Sequence, residues 1–395
     1  MNLARCVGGK LQTCLALLLF ADLAVAVEFA ELGLGQKCRV RDLWSQKELG
    51  EFQGRFAPEI KWHGAGLYCL AGPKLAPPAA PAGAPANSRA GVSPALAEVC
   101  YLFSYFVGNG EDGLHLAWSR DGYRWETLNG GRSLLKPEVG ESKLMRDPCL
   151  LRAPGGTFHM VWTTAWNGRT IGYAASKDLL HWSEQKALLV MADEPATLNC
   201  WAPEVTWDGQ KEQFLIFWAS TVTNKFTETA SQAENHYNHR MYCTTTKDFQ
   251  TFGPTRLYYD PGFNVIDATL LRADGRFRLL FKDETVKPPR KQLRMAVSDL
   301  AEGPFGPPGP PFTPAWVEGP TALRLGDQYI VYFDCYRDQH YGAMTSKDLV
   351  HWQDVTDRLA MPPGARHGTV LHVPGTVLAP LLKLGAAAGS APGLP

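Results

Sequence analysis

The sequence predicts an all-β protein built around a five-bladed β-propeller. Three observations carry this prediction: the composition, a turn phrase that occurs five times, and a strand-to-glycine interval that also occurs five times. With 38 glycines and 29 prolines in 395 residues, the chain is suited to short strands joined by turns rather than to long helices. Acidic and basic residues number 39 each, so the composition gives no electrostatic case for binding nucleic acid or an anionic membrane.

Three segments are predicted before the propeller. Residues 1–26 combine basic residues, an apolar run and a small-residue cleavage site, which is typical of a signal peptide and predicts a secreted or periplasmic protein. Residues 27–70 are interpreted as a small β fragment of a few antiparallel strands. Residues 71–98 are rich in Pro and Ala and are predicted to be a linker, because they bury too little apolar surface to order themselves.

The turn phrase consists of Ser or Thr, a basic residue, Asp, and an aromatic residue four positions after the Asp. It begins at Ser119, Ser176, Thr246 and Ser346, with a degenerate copy at Ser298. Each copy follows a run of strand type, and Ser-x-Asp is turn chemistry. These copies are therefore predicted to be hairpin turns and not active sites.

The second repeat is an apolar strand that ends in a glycine turn eight residues after its first residue. The first residues are Asp147, Trp201, Asp267, Glu318 and His367, and they lie between 49 and 66 residues apart. Repeats of this size with several strands each are typical of a propeller. The sequence therefore predicts five structurally equivalent strand starts.

The two repeats are out of phase at the ends of the predicted domain, 99–378. The copy at 367–375 has a first strand without a hairpin, and residues 99–125 have hairpin strands without a first strand. Joining the two closes the ring and pairs the open sheet edges. We therefore expect five blades of four strands, with the C-terminal strand in the N-terminal blade, followed by a flexible tail over 379–395.

The predicted first-strand starts place chemistry at one mouth of the central channel. Three carboxylates, an indole and an imidazole would face one small space there. Clustered carboxylates are costly to bury, and an acid–base site is a reason to carry that cost. Glycoside hydrolysis needs one protonated and one ionised carboxyl group, and an aromatic ring suits the apolar face of a sugar.

Four motifs at these positions resemble those of a known family. They are "MRDP" at Met145, "WAPEV" at Trp201, "VIDAT" at Val265 and "VEGPT" at Val317. Through them residues 99–375 resemble glycoside hydrolase family 43, a family of five-bladed propellers that are inverting glycosidases. The resemblance implies cleavage of arabinofuranosyl- or xylosyl-type bonds in plant-type polysaccharides or oligosaccharides, with carbohydrate as the partner and neither nucleic acid nor membrane.

The resemblance also implies roles for three carboxylates. Asp147 would be the general base, Glu318 the general acid, and Asp267 would orient the acid and tune it. Their order along the chain and their approximate spacing are those of the family.

Further residues are expected to contact substrate. These are Trp201, Arg366, His367, Trp166 and Arg240, the last from the long insertion over 221–240. Arg366 could instead be the structural partner of a ring carboxylate. No cofactor is expected to be required, although the family leaves open a structural Ca²⁺ in the channel near His367.

Two alternative functions stay open at this point. A retaining β-fructosidase-like propeller also carries an "RDP" element, and a non-catalytic carbohydrate-binding propeller would share the fold.

Glu204, three residues into its strand, is interpreted as a satisfied buried acid. Residues 25–70, through "RVRDLWSQKELGEF" and "HGAGLYCL", resemble the end of the C-terminal β-sandwich of family 27 α-galactosidases.

Overall fold

The structure is a computed structural model, and it divides the chain into two compact units, Met1–Ala90 and Gly91–Pro395. It describes residues 2–7, 10–18, 23–24, 27–29, 36–43, 45, 47–60, 65–72, 99–233 and 235–388. Most of the predicted linker, from residue 73 to residue 98, lies outside the described residues.

The N-terminal unit is built from short strands. They are β1 (Asn2–Val7), β2 (Lys10–Leu18), β3 (Leu23–Ala24), β4 (Val27–Glu28), β5 (Lys37–Asp42), β6 (Lys47–Gln53), β7 (Arg55–Phe56), β8 (Glu59–Ile60) and β9 (Ala65–Gly72). Five form one sheet in the order β1-β2-β9-β5-β6, and β3-β8 and β4-β7 pair separately. Its described core is small and centres on Phe29, Val40, Phe56 and Leu70. The signal peptide and the likeness to a family 27 sandwich both stay predictions.

The described residues of the second unit form nineteen further strands and one α-helix. The strands are β10 (Val99–Phe106), β11 (His115–Ser119), β12 (Glu126–Thr127), β13 (Arg146–Arg152), β14 (Phe158–Thr163), β15 (Ile171–Ser176), β16 (Lys186–Leu188), β17 (Trp201–Asp208), β18 (Gln213–Ser220), β19 (Arg240–Thr246), β20 (Arg256–Tyr259), β21 (Val265–Ala273), β22 (Arg276–Asp283), β23 (Gln292–Ser298), β24 (Glu318–Leu325), β25 (Gln328–Cys335), β26 (His340–Ser346), β27 (Gln353–Asp354) and β28 (Arg366–Pro374). Three 3₁₀ helices (Asn129–Gly131, Thr227–Gln232 and Thr356–Arg358) lie between them, and α1 (Gly375–Ala388) follows β28.

These strands form five antiparallel sheets. Their orders are β12-β11-β10-β28, β13-β14-β15-β16, β17-β18-β19-β20, β21-β22-β23 and β24-β25-β26-β27. The last strand, β28, pairs with β10 from Val99 opposite Pro374 to Phe106 opposite Arg366, as the out-of-phase repeats predict. Strand β13 contacts β17 and β28, and β21 contacts β17 and β24; β24 also contacts β28. Each of these five strands, which we call the first strands, therefore touches the first strands of two other sheets.

One sheet differs from the predicted four strands. Among the described residues the β21-β22-β23 sheet has three, and residues 304–312 run along its outer edge. The backbone N–H groups of Gly306, Gly309 and Phe312 donate to carbonyls of β23 at 2.8–3.1 Å. Proline has no N–H, and five of these nine residues are proline, so a continuous fourth strand cannot form.

The turn phrases form the predicted hairpin turns. In one copy the Ser176 hydroxyl accepts from the Leu179 N–H at 2.8 Å, and Asp178 Oδ1 accepts from the His181 N–H at 2.8 Å. The copy at Ser346 repeats this geometry with Leu349. The polar side chains of these phrases are therefore engaged in the turn itself.

Helix α1 occupies the first part of the segment predicted to be a flexible tail from 379. Leu378 and Leu381, three residues apart on one face, are fully buried in the core cluster that includes Leu102 and Trp162. This burial packs the first part of the helix against that core, and the helix continues to Ala388. No helix in the described part of the chain is long and apolar enough to span a membrane.

Candidate active site

All five first strands carry a β-bulge near their N-terminal ends. In β13 the pairing passes from Arg146 opposite Thr163 to Cys149 opposite Val161, so that one extra residue is accommodated, and the other four repeat this shift. The bulge residues Asp147 and Asp267 have φ values of 52° and 51°. Asp tolerates this left-handed region better than most residues, and bulges redirect side chains beside active sites.

The register of these bulges corrects the predicted equivalence of the five strand starts. Asp147, Asp267 and His367 occupy one position of the bulge, whereas Trp201 and Glu318 lie one position earlier. Counting eight residues back from the glycine aligned the strands wrongly, because the glycine does not occupy the same place in every hairpin loop. Between Ala273 and Arg276 the glycine is the second loop residue, but between Leu325 and Gln328 it is the first.

A cavity of about 150 Å³ lies at these strand starts. It brings together six of the predicted site residues: Asp147, Trp166, Trp201, Asp267, Glu318 and His367. It is also lined by residues that the sequence analysis missed: Arg146, Thr163, Ile266, Lys282 and Glu284. The three carboxylates predicted to act together thus face one space.

Asp147 is held as a carboxylate. Its Oδ2 accepts from the Thr163 hydroxyl at 2.7 Å, and its Oδ1 lies 3.3 Å from His367 Nδ1. Burial alone would raise the pKa of Asp147, but the hydrogen bond and the positive charge of His367 outweigh it and lower the pKa to about 2.

His367 lies between two carboxylates. Its Nδ1 is 3.3 Å from Asp147 Oδ1 and 4.0 Å from Asp267 Oδ2. Burial opposes the charged ring, yet these carboxylates raise the pKa of His367 to about 9. The imidazole can pack here because residue 319 is glycine and has no Cβ. A Cβ at this position would lie 2.5 Å from Cγ of the imidazole, and the φ of +59° also favours glycine.

Asp267 has the opposite electrostatic character to Asp147. Its Oδ2 accepts from the Gly319 N–H at 3.1 Å, and the residue is 7% exposed. Burial raises the pKa of Asp267 to about 6, and the positive charge of His367 offsets this only in part, because Glu318 and Asp147 repel its charged form.

Glu318 is held by a cation on each oxygen. Lys282 Nζ donates to Oε2 at 3.0 Å, and Arg366 Nη2 donates to Oε1 at 3.2 Å. Both donors fix the direction of the carboxyl group towards the cavity.

Trp166 and Trp201 form an aromatic wall of the cavity, and neighbouring residues hold both side chains in place. Trp166 is 46% exposed, and the Arg146 guanidinium lies 4.4 Å from its ring centroid. Trp201 donates from Nε1 to the Trp166 carbonyl at 2.9 Å and packs 4.7 Å from the ring of Tyr237. Tyr237 belongs to the 221–240 insertion, which therefore supports the wall through Trp201.

Two predicted substrate contacts are placed differently. Arg240 is fully buried away from the cavity lining and pairs with Asp260 at 2.5 Å, with Thr229 and Asn238 as further partners, so a contact with substrate is wrong for this residue. A buried guanidinium needs such partners, and the insertion supplies them. Arg366 meets Glu318, which matches the alternative of a structural partner.

Two of the missed residues share a recognisable signal. Thr163 and Lys282 each stand near the end of the second strand of their sheet, opposite the start of the first strand, and Asp334 has the same position in β25. A polar residue that ends an apolar second strand, as in "MVWT", "LLFK" and "VYFD", marks the same mouth as the first strands do.

Metal binding finds no support in the donor arrangement. Within the described ranges no group of three or more His, Cys, Asp or Glu side chains could hold a metal ion. The Nδ1 of His367 faces two carboxylates, so this nitrogen is not directed at the Ca²⁺ that the family left open.

A second cavity, of about 190 Å³, lies between the first strands, beyond their bulges; we call it the channel. Glu204 is the acidic residue that lines the channel, and it accepts from the Thr269 hydroxyl at 3.0 Å and the Thr369 hydroxyl at 3.5 Å. Burial raises the pKa of Glu204 to about 7 despite these hydrogen bonds. It is the satisfied buried acid that its position in the strand predicts.

Comparison with known proteins adds the family. Residues 97–376 match a family model related to glycoside hydrolase family 43 and described as a probable glycosyl hydrolase domain. An α-L-arabinofuranosidase of Bifidobacterium longum is 23% identical over 184 residues, which are 42% of this chain but only 17% of that protein.

Solved structures with a similar course of the chain include two glycosidases. The α-L-arabinofuranosidase of Lactobacillus brevis has a TM-score of 0.43 and 16% identity, over 54% of this chain and 72% of that chain. An exo-β-1,3-galactanase of Phanerochaete chrysosporium has a TM-score of 0.42 and 12% identity, over 56% and 54% of the two chains. Because the family model spans more than half of its length, the chain belongs to the glycoside hydrolase family 43-related glycosyl hydrolases, as its four motifs predict.

Proposed function

We propose that the protein is an inverting glycoside hydrolase in which Glu318 is the general acid, Asp147 the general base, and Asp267 orients and tunes the acid. The observation that carries this proposal is that all three carboxylates line one cavity of about 150 Å³. Hydrolysis with inversion needs this combination of an acid, a base and room for water between them.

The surroundings of each carboxylate support its role. Asp147, with its pKa lowered to about 2, stays ionised and would take a proton from the water that attacks the anomeric carbon. Glu318 would give its proton to the glycosidic oxygen as the bond to the anomeric carbon breaks and its electron pair passes to that oxygen. Trp166 and Trp201 offer aromatic faces to a sugar ring.

For the substrate we propose arabinofuranosyl- or xylosyl-type glycosides of plant-type polysaccharides or oligosaccharides. The name of the Bifidobacterium longum relative, an α-L-arabinofuranosidase, supports the arabinofuranosyl class. The small volume of the cavity supports recognition of a single sugar ring at the cleavage point.

For the architecture we propose that the five sheets are blades of one closed propeller. The pairing of β28 with β10 and the contacts of each first strand with two others support closure.

We also propose that the protein is secreted or periplasmic, on the composition of residues 1–26. N-terminal sequencing of the protein recovered from an expressing culture tests this, and an intact residue 1 on all of it would contradict secretion by cleavage.

The decisive experiment is hydrolysis of nitrophenyl α-L-arabinofuranoside, β-D-xyloside and β-D-galactofuranoside by the wild type and by Glu318→Gln. We expect hydrolysis of at least one glycoside and its collapse in the variant. Proton NMR of the first-formed sugar should show the inverted anomer; the retained anomer would favour the β-fructosidase-like alternative. Sugar binding by calorimetry without any hydrolysis would favour the carbohydrate-binding alternative.

A further inference from the structure

The two cations that hold Glu318 are each shared with a second carboxylate. Arg366 Nε lies 2.5 Å from Asp334 Oδ2, while its Nη2 lies 3.2 Å from Glu318 Oε1. Lys282 Nζ lies 2.7 Å from Glu284 Oε2 and 3.0 Å from Glu318 Oε2. Glu318 is thus the middle carboxylate of three, separated by two cations.

These contacts lie in a poorly solvated part of the molecule. The side chains of Lys282 and Asp334 are each 2% exposed, and that of Glu284 is 14% exposed. Glu284 is also paired with Lys291. Six side chains of alternating sign therefore follow one another, and we call them the Glu318 chain: Asp334, Arg366, Glu318, Lys282, Glu284 and Lys291.

A general acid in this position faces two requirements that conflict. Its carboxyl group must be held in a fixed direction, which the donors on Lys282 and Arg366 achieve. It must also carry a proton when substrate binds, and two cations at hydrogen-bond distance favour its charged form. A second carboxylate on each cation reduces that attraction while leaving the hydrogen bonds in place.

We propose that Glu284 and Asp334 are positioning residues for the acid step, which let Glu318 be clamped by two cations and still hold its proton at the pH at which Asp147 is ionised. This inference rests on the proposed role of Glu318 as the general acid. Neither residue belongs to the predicted catalytic set, and Glu284 also lines the cavity.

Other titratable groups surround Glu318 and stay unchanged in the variants below. They are Asp147 on β13, Asp267 on β21, His367 on β28, Tyr336 after β25 and Tyr341 on β26. A change in the titration of Glu318 between variants is therefore caused by the substituted member of the Glu318 chain.

The test compares two variants with opposite expected signs. In Glu284→Gln, Lys282 is no longer shared and one repelling charge is lost, so Glu318 should take up its proton about one pH unit lower. In Lys282→Met a cation is lost, so protonation should occur about one pH unit higher. The readout is ¹³C NMR titration of glutamate labelled at the side-chain carboxyl, with the Glu318 signal assigned by Glu318→Gln, and the alkaline limb of kcat/KM should move in the same two directions.

Glu302→Gln is the matched control, because Glu302 also accepts from two cations, Lys211 and Arg256 at 2.7 Å each, but lies outside the cavity. It should leave the Glu318 titration unchanged. Shifts of the same sign in both variants, or no shift in either, would overturn the inference. Where melting curves show that Lys282→Met does not fold, Asp334→Asn takes its place and must shift in the direction of Glu284→Gln. A wild type that hydrolyses no glycoside refutes the proposed function, whereas the NMR titration still decides this inference.

Discussion

The cavity at the strand starts and the channel directly beyond it hold two buried carboxylates with opposite behaviour. The side chain of Asp147 in the cavity is 11% exposed, and Glu204 in the channel is 8% exposed. Yet the pKa of Asp147 is lowered to about 2, and that of Glu204 is raised to about 7. The two residues sit two positions apart in the shared register of the first strands.

The difference comes from the partners and not from burial. Asp147 has the imidazolium of His367 at 3.3 Å, whereas the direct partners of Glu204 are the hydroxyls of Thr269 and Thr369. A hydroxyl satisfies a hydrogen bond but does not compensate a charge in a poorly solvated place. The position that holds a buried acid ionised is therefore the one with a cation, and this is the position expected to do chemistry.

The largest expected effect is the difference in activity between a variant of the cavity and a variant of the channel. Asp147→Asn should lower kcat/KM by about 10²–10⁴-fold, because the general base is lost, while Glu204→Gln should stay within a few-fold of the wild type. The measurement is the hydrolysis rate on the glycoside that the wild type cleaves best. Equal losses in both variants would mean that the channel takes part in the reaction.

The next effect concerns the stability that His367 contributes. Its pKa is raised from 6.5 to about 9, so its contribution is complete below pH 6.5 and is lost as the pH rises through 9. The contribution of Asp147 is present above its ordinary value of 3.8 and is lost as the pH falls through about 2. The pair therefore stabilises the folded state most between about pH 4 and 6.5.

His367→Gln measures this window. Its loss of unfolding free energy relative to the wild type, from urea titrations, should be about 3 kcal/mol larger at pH 5.5 than at pH 10. His181→Gln is the control, because His181 pairs with Asp178 at 2.7 Å but is 87% exposed, and an exposed pair should contribute under about 1 kcal/mol. A loss that does not depend on pH would show that His367 acts by packing alone.

The smallest effect is the reverse behaviour of Glu204. Its raised pKa means that the unfolded chain ionises above about 4.5 while the folded chain keeps its proton up to about 7, so stability falls across that range. Glu204→Gln cannot ionise and should be more stable than the wild type by about 2 kcal/mol at pH 8, and equal to it or slightly less stable at pH 4. Urea titration at both pH values is the measurement, and a destabilised variant at pH 8 would indicate a cation partner for Glu204.

Much of the fold could be predicted from local sequence. The Ser-x-Asp turns need only side chains two to five residues apart, and the apolar runs before them become β11, β15, β19, β23 and β26. The pairing of β28 with β10 could be predicted as well, because each end of the repeat lacks what the other end has. Asp147, Asp267 and Glu318 could be placed together because the repeat brings every first strand to the same mouth.

The same local reasoning failed where hairpin loops and side-chain partners decide. A glycine marks a turn but not its place within that turn, so Trp201 and Glu318 were counted one residue out of phase. Arg240 was expected to face the cavity because it ends a long insertion, but its partners Asp260 and Thr229 lie within its own sheet and insertion and keep it buried.

The sequence by itself determined that this chain is all-β, that its strands repeat, and that three carboxylates meet, because turn chemistry and strand periodicity act over a few residues. Only the tertiary structure decided which carboxylate is ionised and which holds its proton. That distinction depends on His367, which reaches Asp147 from another strand, on the hydroxyl partners that Glu204 has in place of a cation, and on distances of a few ångströms that no spacing along the chain encodes.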